Sequence, residues 1–142
     1  MMIRLIYVST AAGPVTTAVT GTILRSAQAH NAASGITGVL CQGQGVYLQV
    51  LEGGAEQIDA LYARILLDKR HRNVVLRERE DIARRRYGNW AMAHVDMNRL
   101  PHTTQAHGQQ AVFDPYAATG DELIAKLDEL MTSGTVMTEP VI

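Results

Sequence analysis

The sequence predicts a single α+β domain with a ferredoxin-like βαββαββ order of elements and a mixed five-stranded sheet. Three observations support this prediction. The chain has 142 residues, which is the length of one domain. Short β-branched runs alternate with stretches of helical periodicity in the stated order. Two of the helical stretches can cover one face of the sheet, and a third near the C-terminus is left for the other face.

The first strand and the first helix lie within residues 3–31. The run Ile3–Val8 is short, β-branched and aromatic, as strands are, and Gly13-Pro14 ends it. The helix that follows extends from about Val15 to Asn31 and has an apolar residue at every fourth position, at Val15, Val19, Ile23 and Ala27. Four threonines and Gly21 give this stretch a poor intrinsic helix propensity. Packing, or a ligand, must therefore stabilise it.

A hairpin and a second helix follow. Residues 36–41 and 46–52 form two strand-like runs around Gln42-Gly43-Gln44-Gly45, with Gly35 as the preceding helix stop. Gly53-Gly54 then opens a helix whose apolar stripe is Ile58, Leu61, Tyr62, Ile65 and Leu66. Residues 74–77 and 90–95 are predicted as two more strands, and the charged segment 78–86 is predicted to connect them.

The composition changes after Val95. Residues 1–97 are predicted to form the folded domain. Residues 98–142 are predicted to form a polar linker at residues 101–110, a helix at about 120–132 and a tail. Asp121 is a favourable first residue for that helix, whose apolar stripe is Leu123, Ile124, Leu127, Leu130 and Met131. Strand alternation directs Ile6, Val8, Leu48 and Val50 to the sheet face that the first two helices leave open. The last helix is therefore expected to cover that face.

The composition also excludes several classes of function. The net charge is −1, which gives no electrostatic reason to expect a nucleic-acid or membrane partner. Cys41 is the single cysteine, so an internal disulfide and a thiolate metal cluster are both excluded. His102 and His107 lack metal-ligand spacing. No signal peptide and no run of 18 apolar residues is present, and a soluble cytoplasmic protein is expected.

Polar residues at apolar positions mark a candidate site. Gln49 lies in the middle of an apolar strand, and an unsatisfied buried amide costs about 1–3 kcal/mol, so Gln49 needs a partner such as the hydroxyl of Tyr7. On these two residues alone, a purely structural hydrogen bond is the favoured interpretation. Asn31 lies on the apolar side of the first helix, and Arg64, Asp68 and His71 lie on or just after the second helix. Together they predict a groove between the two helices with a polar lining.

The chain resembles the BLUF family, the sensors of blue light using flavin, over about residues 2–96. Each matching segment is weak alone, but all occur in order and at the spacing of the family. They are Arg4–Ser9, His30-Asn31, Gly35–Leu40, Leu48–Gly53, Tyr62–Ile65, Asp68–His71 and Arg86–Met92.

This resemblance implies a flavin between the two helices, either FAD or, as alternatives, FMN or riboflavin. Asn31 and Arg64 would hydrogen-bond the carbonyl edge of the isoalloxazine ring, and Ile23 and Ile65 would pack on the ring. The ribityl and phosphate end would be held by a second group of residues. These are Asp68, Arg70 and His71.

The resemblance also implies the photochemistry. Tyr7 would donate an electron and a proton to the excited flavin, and Gln49 would relay the proton while also contacting the cofactor. The cycle would leave Gln49 rotated or tautomerised. Trp90 and Met92 would then transmit the change to the last strand.

The predicted function is blue-light reception without enzymatic turnover. About 46 residues follow the matched region, too few for a cyclase or phosphodiesterase, so the signal is expected to pass to a separate protein or through a homo-oligomer. A rival interpretation is a small cofactor-free oxygenase or acyl-phosphate hydrolase of ferredoxin-like fold, with His30, Arg64 or His71 in the active site. No nucleophile–base signature such as G-x-S-x-G supports it. An interaction module without cofactor would not explain the polar groove.

Overall fold

A computed structural model describes residues 1–13, 17–43, 45–88, 92–96 and 116–132. It confirms the predicted α+β class. The strands in these residues are β1 (Met2–Ala11), β2 (Thr37–Gly43), β3 (Val46–Gly54), β4 (His71–Asp81) and β5 (Ala93–Asp96). The helices are α1 (Thr17–Ser34), between β1 and β2, α2 (Ala55–Leu66), between β3 and β4, and α3 (Gly120–Thr132). None of these helices is both long enough and apolar enough to cross a membrane.

The described strands form one sheet in the order β4-β1-β3-β2-β5. The pairs β1–β3, β1–β4 and β2–β3 are antiparallel, while β2 and β5 are parallel. The central pair sets the geometry of the site, because its register places Tyr7 directly opposite Gln49. Directly opposed residues in an antiparallel pair project to the same face, so these two side chains are neighbours.

Helices α1 and α2 pack on one face of the sheet, as predicted. The core there is formed by buried residues of β1, β2, β3 and α2, among them Leu5, Leu40, Leu51 and Ile58. Ile23 and Ala27 of α1 and Ile65 of α2 pack against this core while remaining partly exposed. Gly35 has φ 70° and ends α1, which confirms it as the helix stop.

Helix α3 covers the opposite face, where the sequence analysis expects a cover. Leu123 and Leu127 are fully buried in a second core, formed with Ile6, Val8, Leu48 and Val50. The helix begins with a capping box in which Thr119 and Glu122 exchange hydrogen bonds of 3.0 and 3.2 Å. Its approach is fixed by the Arg77 guanidinium, which donates to the carbonyl oxygen of Ala118 at 2.6 and 3.1 Å.

A buried carboxylate ties β3 to the segment before β5. Glu52 is fully buried, and it accepts hydrogen bonds from Arg4 Nε at 2.9 Å and from the backbone amides of Arg86 and Tyr87 at 3.0 and 2.7 Å. Arg86 in turn forms an ion pair with Asp128 of α3. The carboxylate thus positions the loop that contacts the covering helix.

The prediction for β4 was wrong in length. The strand extends over His71–Asp81 rather than residues 74–77, so residues 78–81 belong to the strand and not to the predicted connection. Charged residues are tolerated there because β4 is the edge of the sheet and is mostly exposed. Asn73, with φ 54°, lies at an irregularity in the β1–β4 ladder, where its carbonyl oxygen accepts a hydrogen bond from the hydroxyl of Tyr116 at 3.0 Å.

Several predicted boundaries lie outside the described residues. The expected start of the first helix at Val15, the linker at residues 101–110 and the tail after Thr132 are among them. Trp90 is also outside, so the predicted start of the last strand there is not tested, and the strand is described from Ala93. The first helix ends at Ser34, three residues later than predicted.

Candidate functional site

A cavity of about 410 Å³ lies between α1, α2 and the sheet. This volume is within the range of small-molecule sites, which is about 300–1,000 Å³. Tyr7 lines it, and so does every residue that the sequence analysis assigned to cofactor binding. Those residues are Ile23, Asn31, Gln49, Arg64, Ile65, Asp68, Arg70 and His71.

The floor of the cavity is a buried Tyr7–Gln49 pair. The Tyr7 hydroxyl donates a hydrogen bond to Oε1 of Gln49. The other end of the amide, Nε2, lies 3.4 Å from the thioether sulfur of Met92. Since a thioether is only a weak acceptor, the amide is held strongly at its oxygen and weakly at its nitrogen. Of the two residues expected to transmit the signal, Met92 contacts Gln49. Trp90, the other one, lies outside the described residues.

Burial keeps Tyr7 protonated. Desolvation raises the pKa of its phenol well above the ordinary value, and the negative charge of Asp68 raises it further. The ring is flanked by Tyr62, whose centroid is 5.8 Å away at 50°, and by His71, at 6.1 Å and nearly perpendicular. Tyr7 is thus a neutral proton donor with a defined orientation.

The two helices supply the walls of the cavity. Ile23 of α1 and Ile65 of α2 provide aliphatic surface from opposite sides. Asn31 in the last turn of α1 is 1% exposed, so its amide is a buried polar group on the cavity wall. Its backbone carbonyl accepts from the amide of Ile36 at 2.9 Å, which closes the helix end and positions the side chain.

Charged groups form the rim. The Arg64 guanidinium lies 3.3 and 3.4 Å from the two ring nitrogens of His30 on the facing helix. Asp68 accepts from the backbone amide of Arg70 at 2.9 Å and from its Nε at 3.0 Å, a local turn that fixes both side chains. These hydrogen bonds from Arg70 lower the pKa of Asp68, so this carboxylate is ionised and its pairing with Arg70 is charge-assisted.

His71 borders the cavity, but both of its ring nitrogens are hydrogen-bonded to other protein atoms. Nδ1 is 2.8 Å from the hydroxyl of Ser9, and Nε2 is 2.7 Å from the carbonyl oxygen of Ile65. A carbonyl oxygen can only accept, so Nε2 carries the proton. The polar atoms of His71 are therefore used to join β1 to the end of α2.

Sequence reasoning missed part of the lining. Ser26 of α1, Leu61 of α2 and Leu67 just after α2 also border the cavity, and nothing in the sequence pattern distinguishes them from residues that do not. Tyr47 could have been found, because alternation places it on the same face of β3 as Gln49. His30 was considered only for the rival enzyme, and the structure places it on the rim beside Arg64.

Comparison with known proteins gives a family match. The family model described as sensors of blue light using FAD matches residues 2–93. Photoactivated adenylate cyclase subunit alpha of Euglena gracilis is 40% identical over 88 residues, a match that covers 62% of this chain and 9% of that protein. The alpha-like protein FB of the same organism is 43% identical over 74 residues, or 52% of this chain and 7% of that protein. The chain therefore spans less than a tenth of these curated relatives.

Solved structures give a similar result over more of the chain. BlsA in its photo-activated state has a TM-score of 0.82 at 26% identity, and the match covers all of this chain and 99% of that one. BlrB, a BLUF protein in its dark state, has a TM-score of 0.76 at 26% identity, with 94% and 96% covered. A bacterial light-regulated adenylyl cyclase has a TM-score of 0.70 at 31% identity, with 94% of this chain and 34% of that chain covered.

Proposed function

Because this chain belongs to the BLUF family, the sensors of blue light using FAD, we propose that the cavity between α1 and α2 holds the isoalloxazine ring of a flavin. The domain is a blue-light photoreceptor. We propose further that Tyr7 and Gln49 are its photoactive pair. The observation that carries this assignment is the assembly of Tyr7 and all eight predicted cofactor residues around one cavity.

The lining has the chemistry that a flavin ring needs. Ile23 and Ile65 offer aliphatic surface for the two faces of a flat ring. Asn31, Gln49 and Arg64 offer amide and guanidinium donors for its carbonyl oxygens. These residues therefore fit the cofactor that the family uses.

The protein's part in the photochemistry is to hold and move one proton. A bound flavin absorbs the blue light and, once excited, can accept an electron that a ground-state flavin cannot take from tyrosine. Loss of that electron would make the phenol of Tyr7 strongly acidic, so its proton would move from Oη to Oε1 of Gln49, the atom to which it is already hydrogen-bonded. Gln49 would in turn release a proton from Nε2 toward the cofactor that took the electron. The amide of Gln49 is then free to rotate or tautomerise, since among the described residues its nitrogen has only the thioether of Met92 as a partner.

The rearranged amide offers a route for the signal. Rotation replaces the Nε2 donor that faces Met92 with an oxygen, and Met92 directly precedes β5. Its backbone carbonyl also accepts from the side chain of Gln28 on α1 at 3.2 Å, so movement of Met92 is felt by both helix and sheet. Converting a 1:99 population to 99:1 takes about 5.5 kcal/mol, which a few exchanged buried hydrogen bonds can supply.

We propose FAD as the cofactor and a separate protein or a second copy of the chain as the receiver of the signal. Asp68 and Arg70 at the rim are suited to the polar tail of the cofactor, because the Nη1 donors of Arg70 have no protein acceptor within the described part of the chain. The cyclase relatives carry long regions beyond the matched segment. BlsA and BlrB match this chain over nearly their whole length.

The test is to purify the protein, release and identify its flavin, and record absorption before and after blue light. We expect a reversible shift of the flavin bands to longer wavelength. Tyr7→Phe and Gln49→Leu should bind flavin and lose the shift. Tyr47→Phe is the matched control, because Tyr47 lines the same cavity on the strand that carries Gln49, and it should cycle like the parent.

Two results would contradict the proposal. A protein that takes up no flavin would remove the assigned cofactor. A Tyr7→Phe variant with a normal light-induced shift would remove the assigned donor. The cofactor-free oxygenase or hydrolase is not favoured, and it would be revived only by a colourless protein that turns over a substrate.

A further inference from the structure

The imidazole of His71 bridges two elements that both form the cavity. Its Nε2–H donates to the carbonyl oxygen of Ile65, in the last turn of α2, at 2.7 Å. Its Nδ1 is 2.8 Å from the hydroxyl of Ser9 on β1. When the ring carries its proton on Nε2 alone, Nδ1 accepts and the Ser9 hydroxyl donates. We call this set of contacts the His71 bridge: Ser9 Oγ, the imidazole and the Ile65 carbonyl.

The bridge is built next to Tyr7. Ser9 follows Tyr7 by two residues on β1, so both side chains project to the same face of the sheet. Ser9 is fully buried, and His71 is the polar partner that satisfies its hydroxyl. The imidazole meets the Tyr7 ring at 81° with centroids 6.1 Å apart, and Tyr62 packs against the ring at 5.8 Å. The orientation of the phenol therefore depends on an imidazole whose own orientation two hydrogen bonds determine.

From this geometry we infer that His71 is a positioning residue for Tyr7 rather than a ligand of the flavin's polar tail. The inference rests on the proposed function, because it concerns the donor assigned there. The bridge holds the end of α2 at a set distance from β1 and keeps the phenol directed at Oε1 of Gln49. A group whose two nitrogens already have protein partners has no polar atom left for a ligand without breaking one of those bonds.

A positioning role for His71 predicts a different outcome from a ligand-binding role. If His71 positions Tyr7, removal of the Ser9 hydroxyl reduces the efficiency of proton-coupled electron transfer while flavin stays bound. If His71 is a ligand, Ser9→Ala has little effect, and replacement of His71 weakens flavin binding. A bridge that is only structural would lower stability and leave the photochemistry of the folded, flavin-loaded protein unchanged.

The experiment compares Ser9→Ala, His71→Gln and the matched control Ser34→Ala, because Ser34 ends α1 and is not among the residues that line the cavity. For each variant, the dissociation constant for FAD, the flavin fluorescence lifetime and the quantum yield of the light state are measured. Electron transfer from Tyr7 quenches flavin fluorescence, so a displaced donor lengthens the lifetime. Glutamine carries a donor and an acceptor at one end, as the bridge requires, and so tests rescue without the ring.

We expect Ser9→Ala to bind FAD like the parent, with a longer lifetime and a quantum yield reduced by about tenfold, since misplacement of about 1 Å in a reacting pair costs up to about 100-fold. His71→Gln should fall between Ser9→Ala and the parent, and Ser34→Ala should match the parent.

Parental lifetime and yield in Ser9→Ala overturn the inference, as does a loss of FAD affinity in His71→Gln without a change in yield. Both results leave the proposed function intact as long as Tyr7→Phe abolishes the light state. If Tyr7→Phe cycles normally, the proposed function itself has failed.

Discussion

Replacement of the buried Glu52 by glutamine tests how much the hydrogen bonds of this carboxylate contribute to the stability of the domain. One carboxylate oxygen faces the backbone amides of Arg86 and Tyr87, and the other faces Arg4 Nε and the same Arg86 amide. Glu52→Gln keeps the shape of the side chain and turns one acceptor into an NH₂ donor. In either amide orientation, that donor meets an N–H that needs an acceptor. The variant therefore loses both a charge and a buried hydrogen bond.

The magnitude follows from burial. A hydrogen bond to a charged group contributes about 1.5–3 kcal/mol, and removal of one partner of a buried ion pair costs about 3–5 kcal/mol. Glu52 is fully buried and Arg4 is 11% exposed, but Arg4 keeps a second partner in Glu80 at 3.0 Å. We therefore expect Glu52→Gln to lower the free energy of unfolding by about 3 kcal/mol, where the two ranges meet. That is a large part of the 5–15 kcal/mol that stabilises an ordinary domain.

The assay is urea unfolding followed by far-UV circular dichroism at matched flavin loading, since bound ligand adds stability of its own. Asp59→Asn is the control. Asp59 forms an ion pair with Arg79 at 2.8 Å, but the two side chains are 50% and 42% exposed, and such surface pairs contribute about 0–1 kcal/mol. If Glu52→Gln loses no more stability than Asp59→Asn, the reasoning about the buried carboxylate is refuted.

Three further predictions concern the sheet and its two cores. Gly38→Ala should prevent folding or cost more than about 3 kcal/mol, because a Cβ at this position would lie 1.9 Å from the carbonyl oxygen of Val50; soluble yield and urea midpoint report it. Leu127→Ala should cost about 2–5 kcal/mol, against under about 1 kcal/mol for the half-exposed Leu66→Ala, and equal losses would contradict the burial of α3. Since burial raises the pKa of Tyr7, the unfolded chain loses this proton near pH 10 and the folded chain only at higher pH. The contribution of Tyr7 to stability should thus be complete below pH 10 and be lost as pH rises beyond it, whereas Tyr7→Phe should show less alkaline destabilisation; phenolate absorbance and urea midpoints at each pH measure this.

Strand alternation and helical stripes predicted most of the fold, because those patterns report which face is buried. They failed at β4, where the pattern 78–81 is fully charged. That stretch is a strand because β1 offers it an antiparallel partner, and an edge position spares its side chains from burial. Such pairing depends on the neighbouring strand, which is distant in sequence, so the local sequence of β4 does not predict it.

The sequence indicated the residues that line the cavity, but not the hydrogen-bond network around Glu52. Gln49 was singled out because its amide lies among apolar residues. The same argument, applied to Glu52 three residues later in the same strand, would have predicted the buried carboxylate. Its partners could not have been named, since Arg4 and the amides of Arg86 and Tyr87 are far away in sequence. The two hydrogen bonds of His71 are a similar case, because only the fold brings Ser9 and Ile65 to its two nitrogens.

The sheet between the two cores has a consequence for engineering the lifetime of the light state. Along β1, Tyr7 faces the cavity while its neighbours Ile6 and Val8 belong to the core beneath α3, and along β3 the same holds for Gln49 and Val50. Interiors are close-packed, so a changed volume on the α3 side is passed to the shared backbone as a small displacement. A library that varies only Ile6, Val8 and Val50 should therefore yield receptors with faster and slower dark recovery, while every residue that lines the cavity stays native.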